Sequence, residues 1–229
     1  MMDLSLPVQE LERYVRRLVA NHLPDDYSPL DSARSRFGRA LERVEYSFSR
    51  IRRRYYRETE TVRFDHLNGD HMAALLYFYG NTIWREDGDV EFPTRLFYVN
   101  KILHGLDLFY SVPMPDVFLL VHPVGTVLGK ATYGDYLVVY QNCTVGADTD
   151  VYPTFGEGTI LYSRSSVLGD CRCGDNVVFA ANSLVVNLHV PSDTVVVGQY
   201  PNHRFVPNRQ SVRERCFDSR LAAGGGNTK

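Results

Sequence analysis

The stretch VHPVGTVLGKATYGDYLVVYQNCTVG at residues 121–146, continued by AANSLVVNLHVPSDTVVVG at 180–198, decides the reading of this chain. Its apolar residues do not alternate as on a half-buried strand, nor recur at the helical period of about 3.6. They recur every sixth position: Val127, Tyr133, Val139, Val145 and Val151. After a shift of register near Pro153 the series resumes as Phe155, Leu161, Val167, Cys173, Phe179 and Val185. Four residues after most of these stands a smaller one: Ala131, Leu137, Cys143 and Thr149, then Thr159, Ser165, Cys171, Val177 and Ser183. A hexapeptide period with one bulky and one small inward position predicts a parallel β-helix of short strands and turns. Each coil buries its side chains only against the coils above and below, so the array is a one-dimensional stack.

The remaining sequence sets the limits. A chain of 229 residues with 44% hydrophobic content can build a sizeable core in one large or two small domains. The net charge of −2 gives no global field for nucleic acid. The basic run Arg52, Arg53, Arg54 lies among glutamates and reads as a solvated helix face. The first fifteen residues lack a positive start followed by an apolar run, so no secretory signal or membrane span is expected and the protein is expected to be cytoplasmic. Cys143, Cys171 and Cys173 fall on inward positions of the period and are expected as free core residues, while Cys216 lies in a polar tail.

Ahead of the repeats the pattern is helical. Residues 3–22 place Leu11, Val15, Leu18 and Val19 on one face, and a second helix after Pro29 carries Phe37, Leu41, Val44, Phe48 and Ile51. A third, from Met72 to about Trp84, is apolar nearly all round, as a buried or oligomer-forming helix would be. A fourth is predicted over 94–110, after Pro93. The expectation is an α+β chain: a helical domain at 1–111, a β-helix at 112–200 entered through Val112-Pro113-Met114-Pro115, and a C-terminal extension with a mobile tail at 201–229.

A helical cap followed by hexapeptide coils resembles the serine acetyltransferase family. Val121-His122-Pro123-Val124-Gly125 stands where that family has Asp-His-Ala-Thr-Gly. The run TFGEGTILYSRSSVLGDCRCGDNVVFAANSLVV at 154–186 lies on its later coils without a gap, and the segment from Val190-Pro191 to Val197-Gly198 resembles its closing motif. The resemblance covers the C-terminal half in detail and the helical half in plan. It implies a left-handed β-helix and acetyl transfer from acetyl-CoA to a small-molecule acceptor. His122 would be the general base, a task suited to imidazole with its ordinary pKa of about 6.5. The family's orienting aspartate lies fifteen residues earlier, which is Asp107 here, with Asp116 as the nearer competitor.

The resemblance also implies a coenzyme A groove between subunits, with Ser163, Ala180, Ala181 and Gly198 along it and Arg204 or His203 near the adenosine phosphates. Such a groove implies a homotrimer, and the apolar third helix could join two trimers. No set of three histidines suggests zinc, so no metal is expected. The substrate positions depart from the family. Val121 replaces the aspartate before the histidine, and Val151-Tyr152 replaces an Arg-His pair that engages the serine carboxylate. A zwitterion needs charged partners, so free serine is in doubt as the acceptor, and the Tyr152 ring would suit stacking on a sugar. Three functions follow: an O-acetyltransferase of the serine acetyltransferase type, an O- or N-acetyltransferase of a sugar or nucleotide sugar, and a catalytically silent scaffold.

Overall fold

The computed structural model describes residues 2–25, 27, 31–58 and 61–218. Four helices form the first part: α1 (Val8–His22), α2 (Asp31–Ser49), α3 (Gly69–Asp87) and α4 (Glu91–His104). Helix α1 starts later than its apolar pattern suggested, because Pro7 occupies the N-cap in an extended conformation. Ahead of it Asp3–Leu4 (β1) pairs in parallel with Arg63–Phe64 of β3 (Thr61–Phe64), which pairs in turn with β2 (Arg57–Glu58). This small sheet is absent from the sequence reading, since two-residue strands carry no periodicity.

Helix α3 is the axis of the helical part. Every residue from His71 to Ile83 is buried, so the all-round apolar composition reflects packing on all sides. Phe78 lies 5.1 Å from the ring of Phe118 at the solenoid entrance, and the Tyr77 hydroxyl donates to the carbonyl of Val112 at 2.6 Å. Asn68 caps the helix, its Oδ1 accepting from the N–H of Asp70 at 3.0 Å and of His71 at 3.4 Å. Helix α4 ends six residues before its predicted limit of 110, because Gly105 takes a left-handed φ of 62° as its C-cap. Asp107 therefore lies beyond the helix, where its backbone bridges Val127 of the next coil.

The repeats form a parallel β-solenoid with three faces. One face stacks Val127–Leu128, Thr144–Gly146, Ser166–Leu168 and Leu184–Val186. The next stacks Thr154–Phe155, Arg172–Cys173 and His189–Val190, with Tyr133 laid flat on Phe155 at 5.5 Å. The third stacks Phe118–Leu120, Leu137–Val139, Ile160–Leu161, Val178–Phe179 and Thr194–Val197. Register follows the six-residue period: Val167 pairs with Val145 and Val185, Cys173 with Phe155 and Val190, Leu161 with Val139 and Phe179.

The period fails at two places. Val127 is 41% exposed and Leu128 points inward instead, paired with Val145. Thr149 and Val151 are exposed, because ten residues rather than six separate Val145 from Phe155 and the excess bulges outward. The three repeat cysteines are free and buried as expected. Cys216 is buried as well, correcting its placement in a polar tail.

The C-terminal extension closes the stack. Arg204–Pro207 pairs antiparallel with Thr194–Val197 and covers the open edge. The chain then forms α5 (Val212–Cys216) along the corner of Tyr136 and Asn176, where the Val212 N–H donates to Asn176 Oδ1 at 2.9 Å and Phe217 packs edge-on against Tyr136. Backbone bonds from Arg52 N–H to Cys216 and from Asp218 N–H to Arg50 tie this segment to the end of α2. The basic run is thus a turn rather than a helix face. Arg52 bonds the Glu214 carbonyl at 2.7 Å and Arg53 the Tyr140 hydroxyl at 3.2 Å. The tail expected to be mobile, residues 222–229, lies outside the described residues, which end at 218.

Candidate active site

The corner that follows the third face carries most of the candidate residues. In three coils it is built alike: six residues lead from Val139 to Val145, from Leu161 to Val167 and from Phe179 to Val185. In the first coil eight lead from Leu120 to Leu128. The two extra residues push His122 and Pro123 out of the stack. His122 adopts a φ of 49°, the left-handed region that costs a side chain about 1–2 kcal/mol. Hydrogen bonds hold the turn: Val124 N–H to the His122 carbonyl at 2.7 Å, Thr126 N–H to Pro123 at 3.1 Å and Gly125 N–H to Gly105 at 3.0 Å.

The group facing this turn is Asp70, the second residue of α3. Its Oδ1 accepts the His122 backbone N–H at 3.1 Å, and its Oδ2 lies 3.7 Å from His122 Nδ1. A carboxylate in the first turn of a helix is favoured by the helix dipole. Burial nevertheless raises the Asp70 pKa, with the His122 N–H bond and the nearness of the His122 ring pulling it partly back. The His122 side chain is 79% exposed at the mouth of a cleft of about 580 Å³, whose walls include Tyr55, Tyr56, Asp70, Leu103 and His104.

Neither expected orienting acid faces His122. The Asp107 carboxylate pairs with Lys101 Nζ at 2.7 Å, and Asp116 lines a separate depression with Glu42, Arg43 and Tyr46. The carboxylate beside His122 is instead Asp70, 52 residues away in the chain. The sequence showed its position only as the start of a helix. His104 is a second residue the reading passed over. Burial lowers its pKa to about 4, and its Nδ1 lies 2.7 Å from Asn100 Oδ1.

Register places the remaining candidates. Leu120, Val139, Leu161, Phe179 and Val196 share one column, so Gln141, Ser163, Ala181 and Gly198, two steps on, follow one corner. In the first coil the two extra residues bring Val124 to the matching place, its carbonyl accepting the Asn142 N–H, and His122 projects beside it. Ala180 lies one step before Ala181, and Arg204 pairs with Val197 at the end of this line. Val121 lies just inside the corner, bonded through its N–H to Val139. Val151 and Tyr152 are exposed at a different corner, on the bulge before Phe155. Tyr140 and Tyr162, unforeseen in the sequence, lie ring against ring at 5.0 Å with a 30° tilt beside the line, their hydroxyls accepting from Arg53 and Arg215.

Among the described residues no three histidine, cysteine, aspartate or glutamate side chains gather as a metal site. No described helix is long and apolar enough to cross a membrane.

The fold and corner define a helix-capped hexapeptide β-solenoid, and comparison with known proteins narrows that class. No protein-family model matches the sequence. A serine acetyltransferase of Synechococcus elongatus is 31% identical over 111 residues, 46% of this chain and 45% of that protein. One of Staphylococcus aureus is 28% identical over 128 residues, 53% of this chain and 58% of that protein. The chain thus spans about half the length of the curated relatives it matches. Among solved structures, the serine acetyltransferase of Vibrio cholerae superposes with a TM-score of 0.67 at 19% identity, covering 89% of this chain and 82% of that one. That of Neisseria gonorrhoeae in complex with serine gives 0.63 at 17% identity, covering 84% and 81%. Serine acetyltransferases are therefore both sequence relatives and structural neighbours of this chain, and its solenoid agrees with the hexapeptide-repeat acyltransferase fold.

Proposed function

We propose that the chain is an acetyl-CoA-dependent O-acetyltransferase resembling serine O-acetyltransferase, with His122 as general base. The observation that carries this reading is the lengthened corner, which projects His122 at the mouth of a cleft, braces it on Asp70 and leaves it on the corner whose later coils carry the small residues Ser163, Ala181 and Gly198. In the reaction the acceptor hydroxyl gives its proton to the His122 imidazole as its oxygen attacks the thioester carbonyl. The C–O bond forms and the C–S bond breaks. The imidazolium then returns the proton to the departing thiolate. Asp70, with an oxygen 3.7 Å from Nδ1, favours the imidazolium electrostatically. A positioned base of this kind supplies a factor of ~10²–10⁴.

Ser163, Ala180, Ala181 and Gly198 would lie along the pantetheine arm of acetyl-CoA, with Arg204 toward its phosphates. Val151 and Tyr152 would meet the acceptor held by His122 of another copy, which fits a homotrimer in the cytoplasm. The third helix is not available to pair trimers, because residues 71–83 are already buried within the chain. A second reading, acetylation of a sugar or nucleotide sugar, draws support from Tyr55 and Tyr56 in the cleft and from the missing charges at Val121, Val151 and Tyr152. Thiol release from acetyl-CoA over an acceptor panel tests both. His122→Ala should reduce acceptor-dependent release at least a hundredfold. Unchanged turnover would overturn the base assignment, and no release with any acceptor would leave the scaffold reading.

A further inference from the structure

Resting on the acetyltransferase reading, we propose that His104 determines specificity: its Nε2 accepts a hydrogen bond from a second N–H or O–H donor on the acceptor molecule whose reacting hydroxyl lies against His122.

The tautomer is decided by a buried relay. Asn100, 1% exposed, donates from Nδ2 to the carbonyl of Ala73 at 3.0 Å. Its amide orientation is thereby set, and its Oδ1 is left to face His104 Nδ1 at 2.7 Å. An amide oxygen cannot donate, so Nδ1 carries the proton and Nε2 carries the lone pair. Both helices of the relay are anchored, since Ala73 lies in α3 and Asn100 in α4.

The ring is packed over the first residue of α3. A Cβ on Gly69 would stand 3.5 Å from His104 Cδ2 and 3.9 Å from Nε2, so Nε2 lies beside the residue that precedes Asp70. His104 lines the same cleft as His122 and Asp70. No partner for Nε2 occurs among the described residues. Burial holds the ring neutral at physiological pH, so the lone pair is not lost to protonation. The cleft thus offers three separate groups: a base at His122, a carboxylate at Asp70 and a fixed neutral acceptor at His104. An acceptor with only one hydroxyl would leave Nε2 desolvated and unpaired, a loss that discriminates more strongly than an added contact gains.

The test uses the full-length protein with matched acceptors that carry or lack the second donor: ethanolamine against ethanol, and L-serine against 3-hydroxypropanoate. The wild type should prefer the donor-bearing member of each pair. His104→Leu should reduce kcat/KM for that member at least tenfold more than for its counterpart. His104→Gln, which keeps an acceptor, should restore the preference to within about threefold. Thermal melting of each variant guards against a folding defect. Equal effects on both members of a pair, or preference unchanged in His104→Leu, would overturn the proposal while leaving the acetyltransferase reading intact. Absence of thiol release by the wild type with every acceptor would overturn both.

Discussion

The carboxylate of Asp70 accepts the backbone N–H of His122 at 3.1 Å, joining the N-terminus of a buried helix to the corner of a solenoid coil. One side chain thus holds the left-handed backbone of the candidate base and faces its ring. The Asp107 carboxylate is paired with Lys101, and the carboxylate beside the His122 ring is that of Asp70.

That relationship predicts an ordering of variants. Asp70→Asn keeps an oxygen for the His122 N–H but removes the charge, so kcat should fall roughly tenfold or more while the fold persists. Asp107→Asn should change kcat by less than about threefold, within what an exposed ion pair contributes. The opposite order in steady-state kinetics would return the orienting role to Asp107.

Asp70 and His71, like His104, give stability a pH dependence whose sign follows from burial. Burial raises the Asp70 pKa above its unfolded value of 3.8, so the ionised form subtracts stability at neutral pH. Asp70→Asn should therefore melt higher than wild type at pH 7, with the gap narrowing as pH falls into the carboxylate range. His71 behaves in the opposite sense. It is fully buried among Phe48, Tyr56 and Phe64, its Nδ1 accepts from Asp65 N–H at 3.1 Å, and burial lowers its pKa from 6.5 to about 4. The unfolded chain protonates first, so stability is complete above about pH 6.5 and is lost as pH drops toward 4, by roughly 3 kcal/mol. Urea midpoints across that window should show the slope in wild type and a flatter line in His71→Asn.

The turn after His122 depends on a glycine. Gly125 has a φ of 73°, and a Cβ there would lie 2.4 Å from Asn142 Oδ1. Gly125→Ala should cost about 1–3 kcal/mol and disturb the projection of His122, lowering both melting temperature and kcat. Gly38→Ala is the control: it sits in α2 with open space around it, and should stabilise by up to about 1 kcal/mol.

The C-terminal segment should be energetically part of the core. Phe217 is fully buried against Tyr136, and Arg57 pairs with Asp218 at 3.0 Å just beyond it. Phe217→Ala should destabilise by roughly 3–5 kcal/mol, read as a shift in the urea midpoint with an unchanged slope. A shift under about 1 kcal/mol would mean that the segment is docked loosely.

By itself the sequence determined the coil stack and its inward columns. Val139, Val145, Leu161, Val167, Phe179 and Val185 were legible because each coil satisfies its side chains against immediate neighbours, so a local period suffices. It misplaced Val127 and Val151, because added residues shift the register without changing composition. It also marked His122 through its motif. Tertiary structure alone decided what surrounds that histidine. Asp70 and His104 lie on helices whose periodicity records burial but not which loop they face, and their approach to His122 depends on how α3 and α4 dock against the first coil. Contacts across such sequence distances are selected by packing and desolvation, which leave no repeat in the chain for the eye to find.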